Sequence, residues 1–140
     1  HDATDNLCRQ HNLGTGRASL GPLGHDASVG HVSKPVDGPE FGLFLKLLEE
    51  HPNFWSKVSC PERLSQQGPP SYSDVIPFAR KVVESFPDRV LWGTDWPHPN
   101  MKSHMPDDGH LVDVIPHIAT TTELQHKLLV DNPMRLYWAD

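Results

Sequence analysis

The stretch that decides the fold is Val90-Leu91-Trp92-Gly93-Thr94-Asp95-Trp96-Pro97-His98-Pro99-Asn100. It opens as a short apolar run, which is typical of a parallel strand covered on both faces. It then reaches the carboxylate of Asp95 and enters a loop with two prolines. A carboxylate at the end of such a strand is costly to bury without partners, and chemistry is often placed there. The pattern therefore indicates a functional acid, while an Asp that only caps the loop is the simpler alternative.

The segments around this strand alternate between helical and strand spacing. The predicted elements are helices over 39–51 and 73–86, strands over 54–59 and 90–93, and short helices from 109 to 138. Helix and strand in alternation are typical of an α/β protein with a parallel sheet. We therefore predict that the two strands are parallel and adjacent, and that Arg63 and Asp95, which follow them, lie at the same edge of the sheet.

The first 40 residues differ in composition from the rest. All eleven aromatic residues lie from Phe41 onward, whereas six of the ten glycines precede it. Such a stretch buries too little apolar surface to offset the entropy cost of ordering it. Residues 1–33 are therefore predicted to be an irregular or disordered segment, and residues 34–140 are predicted to form the folded domain.

Composition narrows the class of partner and the compartment. The 140 residues carry 12 Lys and Arg against 18 Asp and Glu, which argues against binding to nucleic acid or to an anionic membrane. No apolar window is long enough to cross a bilayer. The two cysteines, Cys8 and Cys60, are too few for a disulfide framework. These observations predict a cytoplasmic protein and leave its oligomeric state open.

Four ordered motifs carry a family resemblance. They are Lys57-Val58-Ser59-Cys60-Pro61-Glu62-Arg63-Leu64, Trp92-Gly93-Thr94-Asp95-Trp96-Pro97-His98-Pro99-Asn100, Pro106-Asp107-Asp108-Gly109 and Asp131-Asn132-Pro133-Met134-Arg135-Leu136-Tyr137-Trp138. Over roughly residues 34–140 the chain resembles the C-terminal part of the 2-pyrone-4,6-dicarboxylate lactonases of the amidohydrolase superfamily. The resemblance implies the C-terminal portion of a (β/α)₈ TIM barrel. It fails before residue 34, which suggests a truncated or frame-shifted gene product.

The resemblance also implies an activity and its residues. The reaction is hydrolysis of a lactone ester, 2-pyrone-4,6-dicarboxylate, in the degradation of aromatic compounds, so the partner is a small dicarboxylate lactone. Asp95 would bind and deprotonate the attacking water. Arg63 would bind a substrate carboxylate through its two-point guanidinium fork. His98 is a further candidate for substrate binding, for orienting Asp95, or for a purely structural role in capping the loop between Pro97 and Pro99.

Metal dependence separates this family from its superfamily. Many amidohydrolases hold zinc through a His-x-His pair, which this sequence lacks, and the pyrone lactonases are taken as metal-independent. We therefore predict no cofactor, with a metal not excluded because the pair belongs to a first strand that the resemblance does not cover. The alternatives are a metal-dependent amidohydrolase or decarboxylase acting on another acidic ring substrate, and a catalytically inactive barrel fragment.

Overall fold

The computed structural model describes residues 35–98, 101 and 104–138, together with the backbone of one short antiparallel pair nearer the N-terminus. That pair joins β1 (Leu13–Gly14) to β2 (Arg17–Ala18). The remainder of residues 1–33 lies outside the described residues, so the irregular segment expected there stays a prediction. No helix in the described part of the chain has the length and apolar character to cross a membrane.

Helix α1 (Pro39–Glu50) opens the described domain. Pro39 stands in its first turn, where a missing amide hydrogen costs nothing and the fixed φ favours the helix. The buried face consists of Phe41, Phe44 and Leu48, at positions i, i+3 and i+7. The Phe41 ring meets the Phe78 ring of the next helix edge-on, with centroids 5.1 Å apart, so aromatic packing joins the two helices.

Strands β3 (Ser56–Lys57) and β4 (Val90–Leu91) pair in parallel, as predicted. Ser56 lies opposite Val90, and the amide of Val58 donates to the Leu91 carbonyl at 2.8 Å. Both strands are shorter than their apolar runs because regular pairing between them covers only two residues of each. Helix α2 (Ile76–Ser85) lies between them in the chain, which makes the unit a parallel strand–helix–strand crossover.

One hydrophobic core joins these elements. Its fully or nearly fully buried members are Phe41, Phe44, Leu48, Tyr72, Val82, Val83, Val90, Leu111, Ile118 and Leu128. They come from both strand–helix units and from the C-terminal helices. The described residues therefore pack as one α/β layer structure, as the sequence predicts.

Arg89 connects the start of β4 to the preceding unit. Its guanidinium donates to the carbonyls of Leu48, His51 and Phe54, at 2.8 to 3.0 Å. These carbonyls lie at the end of α1 and just beyond it, where the backbone has no further helical partners. The arginine thus ties the end of α1 to the strand that carries Asp95.

Among the described residues after the Asp95 loop, the structure has four short helices and one π-helical turn. They are α3 (Asp108–Asp113), α4 (Ile115–Ile118), α5 (Thr122–His126), the π-helical turn Lys127–Asp131, and α6 (Asn132–Tyr137). Thr121 caps the start of α5, because its hydroxyl accepts from the amide of Leu124 at 3.2 Å.

Asn132 precedes Pro133, a pattern typical of a helix cap, but the side chain has a different role. The π-helical turn runs directly into α6, so no free helix start exists at this position. The side chain is instead completely buried, and its amide donates to the carbonyls of Pro87 at 2.7 Å and Val90 at 2.9 Å. Asn132 therefore fastens the C-terminal helix to β4.

Candidate active site

The turn after β3 and the loop after β4 meet at one edge of the sheet. A short 3₁₀ turn, Pro61–Arg63, follows β3 and directs Arg63 toward the Asp95 loop. The Arg63 guanidinium donates to the Asp95 carboxylate and forms an ion pair with it, with 11% of the Arg63 and 29% of the Asp95 side chain exposed. The expectation that both residues lie at the same edge is confirmed, and the two are in direct contact.

Three residues at this edge have left-handed backbone conformations. The φ angles are 62° at Cys60, 63° at Asp95 and 58° at His98. Residues other than glycine adopt this region at a cost in conformational energy. Such residues concentrate at functional sites, where surrounding contacts hold them in place. The clustering of three at one sheet edge therefore supports a functional site there, and it aims the Asp95 side chain back toward Arg63.

His98 is buried rather than open to a substrate. Only 3% of the residue is exposed, and its Nε2 lies 3.0 Å from Oδ1 of Asp108 at the start of α3. Its Nδ1 lies 3.7 Å from Oε1 of Glu62. Both ring nitrogens therefore face carboxylates.

Glu62 is a site residue that the sequence interpretation missed. Its side chain is completely buried, and neither carboxylate oxygen has a hydrogen-bond partner among the described residues. Burial is the largest influence on its pKa and raises it, while the residue's own backbone amide, then His98 and Arg63, oppose that effect. The available indication was its position directly before Arg63, although a Glu in a loop is usually solvated.

Cys60 contributes a thiol to the same cluster. Burial, together with the nearby carboxylates of Glu62 and Asp95, raises the pKa of the Cys60 thiol to about 12. The group is therefore a neutral S–H at physiological pH, able to donate a weak hydrogen bond to Asp95 and unsuited to act as a nucleophile.

The site can be compared with the requirements of a metal ion. Cys60, Glu62 and Asp95 each offer a ligand atom, and these atoms lie within 4.8 Å of one another. Asp95 is, however, already paired with a guanidinium, and the thiol holds its proton firmly. A divalent cation would have to displace Arg63 and deprotonate Cys60, so these three residues do not fit a metal ion.

Glu62 also predicts a pH dependence of stability. Its folded-state pKa lies above the ordinary value of 4.5, so the folded chain holds this proton more tightly than the unfolded chain does. The resulting stabilisation is fully present below about pH 4.5 and is lost as the pH rises through the folded-state pKa. Glu62→Gln, which resembles the protonated acid, should match the native chain at pH 4 and exceed its thermal midpoint at pH 8.

The measurement is thermal unfolding of this chain across that pH range. Glu84→Gln, on the exposed side of α2, is the matched control. A midpoint difference between Glu62→Gln and the native chain that stays constant from pH 4 to pH 8 would contradict the assignment.

The geometry defines a class before any comparison is made: an α/β domain with an arginine–aspartate site at the C-terminal ends of parallel strands. Sequence comparison then specifies the family. The amidohydrolase family model matches residues 27–138, so this chain belongs to the amidohydrolase family.

Curated relatives agree with that assignment. Over 116 residues the chain is 71% identical to a 2-pyrone-4,6-dicarboxylate hydrolase from Comamonas testosteroni, covering 78% of this chain and 38% of the relative. It is 42% identical over 109 residues to a 4-sulfomuconolactone hydrolase from Hydrogenophaga intermedia, covering 76% and 35%. The resemblance seen in the four motifs is confirmed. The chain spans less than half the length of these relatives.

Solved structures show the same partial correspondence. A ligand-free protein from Agrobacterium tumefaciens matches with a TM-score of 0.64 and 32% identity, over 80% of this chain and 42% of that one. A candidate 2-pyrone-4,6-dicarboxylic acid hydrolase from Pseudomonas putida matches with a TM-score of 0.61 and 27% identity, over 79% and 40%. The arrangement of the described elements is therefore one that the family uses.

Proposed function

We propose that residues 34–140 are the C-terminal part of a (β/α)₈ barrel, with residues 1–33 outside it, and that the barrel hydrolyses 2-pyrone-4,6-dicarboxylate. The observation that carries the proposal is the Arg63–Asp95 pair at the C-terminal ends of two adjacent parallel strands. Active sites of barrel enzymes are built at this end of the strands. The 71% identity to a hydrolase of that lactone supports the choice of substrate.

Asp95 is the proposed general base. A carboxylate can accept a proton from a water molecule held against it. The activated water attacks the lactone carbonyl, the ring C–O bond breaks, and the ring oxygen leaves with a proton. The left-handed backbone at Asp95 and its contacts with Arg63 and Cys60 hold the carboxylate in one orientation.

Arg63 is the proposed partner of a substrate carboxylate. In the unliganded chain its guanidinium is paired with Asp95, so an incoming carboxylate competes with Asp95 for the same donors. Exchange of partners would bring the acidic ring next to the base and free a lone pair of Asp95 for water. The sequence predicts that His98 binds substrate, but both of its ring nitrogens face carboxylates. We propose that it interacts with these carboxylates and not with the substrate.

The direct test is hydrolysis of 2-pyrone-4,6-dicarboxylate by the full-length protein. Loss of the pyrone absorbance measures the reaction. The expected result is turnover of the dicarboxylate, far slower turnover of 2-pyrone without carboxylates, and full activity after treatment with a strong chelator. Loss of activity on chelation, restored by zinc or manganese, would favour the metal-dependent alternative. Absence of turnover would refute the proposed substrate.

The role of Arg63 is tested by Arg63→Lys. Lysine keeps the charge but cannot form the two-point fork, so KM for the dicarboxylate should rise about 10-fold or more, while kcat changes less. Steady-state kinetics separate the two constants. Arg80→Lys, on helix α2, is the control and should leave both unchanged. An unaltered KM in Arg63→Lys would show that Arg63 does not bind substrate.

A further inference from the structure

A line of ionisable side chains connects Asp95 with the protein surface. The ligand atoms of Asp95 and Glu62 lie within 4.8 Å of each other, and Oε1 of Glu62 lies 3.7 Å from Nδ1 of His98. Nε2 of His98 then lies 3.0 Å from Oδ1 of Asp108, whose side chain is 44% exposed. The two inner members are buried, and the last one reaches water.

We propose that Glu62, His98 and Asp108 form a relay that carries the proton released by lactone hydrolysis from Asp95 to solvent. The inference rests on the proposed function, because only a reaction at Asp95 supplies the proton. It gives a role to Glu62 and His98, two buried groups that take no part in substrate binding or water activation.

The chemistry requires such an exit. Water adds to the lactone carbonyl carbon, forming a C–O bond, and the bond from that carbon to the ring oxygen breaks. Asp95 takes one proton from the attacking water and returns it to the departing ring oxygen. The other remains on the new carboxylic acid, which ionises at neutral pH by giving this second proton to Asp95. Each turnover therefore releases one proton beside Asp95.

Each step of the relay has a donor and an acceptor. Asp95 passes its proton to Glu62, and Glu62 passes it to Nδ1 of His98. The imidazole accepts at one ring nitrogen and releases from the other, so Nε2 delivers a proton to Asp108. Burial raises the pKa of Glu62, which favours the protonated form of this carboxyl group.

The contact between Glu62 and Nδ1 of His98, at 3.7 Å, is longer than a hydrogen bond and would shorten to one during turnover. The two carboxylate oxygens of Glu62 have no hydrogen-bond partner among the described residues, and the same is true of Nδ1 of His98. A purely structural pair would be bonded, because unsatisfied buried polar groups are costly. The charged groups that act on the pKa of Glu62, besides His98, are Arg63 and Asp95. Glu62 in turn raises the pKa of Cys60 and of Tyr72.

The decisive experiment replaces His98 in the full-length enzyme and restores the ring from solution. His98→Gly suits the backbone, because glycine adopts a φ of 58° freely. We expect kcat to fall by up to about 100-fold, the lower end for a proton-transfer group. Imidazole should restore it, and 1-methylimidazole should not, since its methylated nitrogen cannot carry a proton. Rescue by both compounds, or by neither, would overturn the relay.

A second variant tests the outer end without touching the buried groups. Asp108→Asn should lower kcat about 10-fold with KM unchanged, and a small diffusible buffer acid should recover part of the loss. Asp113→Asn, an exposed carboxylate of the same helix, is the matched control and should behave as the native enzyme. Native kcat in Asp108→Asn would overturn the relay while leaving the proposed hydrolysis intact. Absence of turnover in the native enzyme would instead refute the proposed function.

Discussion

Asp95→Asn is expected to lower kcat for lactone hydrolysis by about 10²- to 10⁴-fold, the range that a positioned general base contributes. The amide has the size of the carboxylate but cannot accept a proton from water. Asparagine also tolerates the left-handed φ of 63°, so the loop should keep its conformation. Steady-state hydrolysis of the dicarboxylate by the full-length protein is the measurement.

Two controls accompany this substitution. Asp113→Asn makes the same chemical change at an exposed position of α3 and should retain native kcat. Unfolding midpoints of Asp95→Asn, measured beside the kinetics, show how much stability is lost when the Arg63 guanidinium, which is 11% exposed, loses its charged partner. Near-native turnover in Asp95→Asn would remove the general-base assignment.

Phe41→Ala is expected to cost about 3–5 kcal/mol in the free energy of unfolding, the usual range for removal of a buried aromatic ring. Phe41 is 1% exposed and packs against both Phe44 of its own helix and Phe78 of α2. Its loss would open a cavity where the two strand–helix units meet. Denaturant unfolding of this chain, monitored by circular dichroism, gives the change directly.

Leu43→Ala on the same helix is the matched comparison. Leu43 is 47% exposed, so its removal sacrifices little buried surface and should cost less than about 1 kcal/mol. Similar destabilisation by the two substitutions would mean that α1 does not pack through the face that contains Phe41.

The parts of the fold that sequence predicted well are those governed by local rules. The bounds of α1 were predicted to within one residue, because apolar residues at i, i+3 and i+7 follow Pro39 and stop before Pro52. Parallel pairing of the strands also followed from the order of elements. Strand ends were less accurate, since regular pairing depends on the neighbouring strand as well as on the apolar run.

Asn132 shows where local rules fail. An Asn before a Pro has the pattern of a helix cap, and nothing nearby in sequence argues otherwise. Its actual partners, the carbonyls of Pro87 and Val90, lie more than forty positions earlier in the chain. A side chain that satisfies distant backbone groups can be recognised only when the fold brings them together.

The sequence by itself determined the family, the strand–helix order and the candidacy of Asp95 and Arg63, because residue type, spacing and motif order carry that information. Only the tertiary structure decided how the side chains are partnered. It joined Arg63 to Asp95, buried Glu62 without a hydrogen bond, and turned His98 between two carboxylates. The physical reason is that burial and charge partners depend on the distances between loops that are far apart in sequence, and these set the chemistry of a carboxylate or an imidazole.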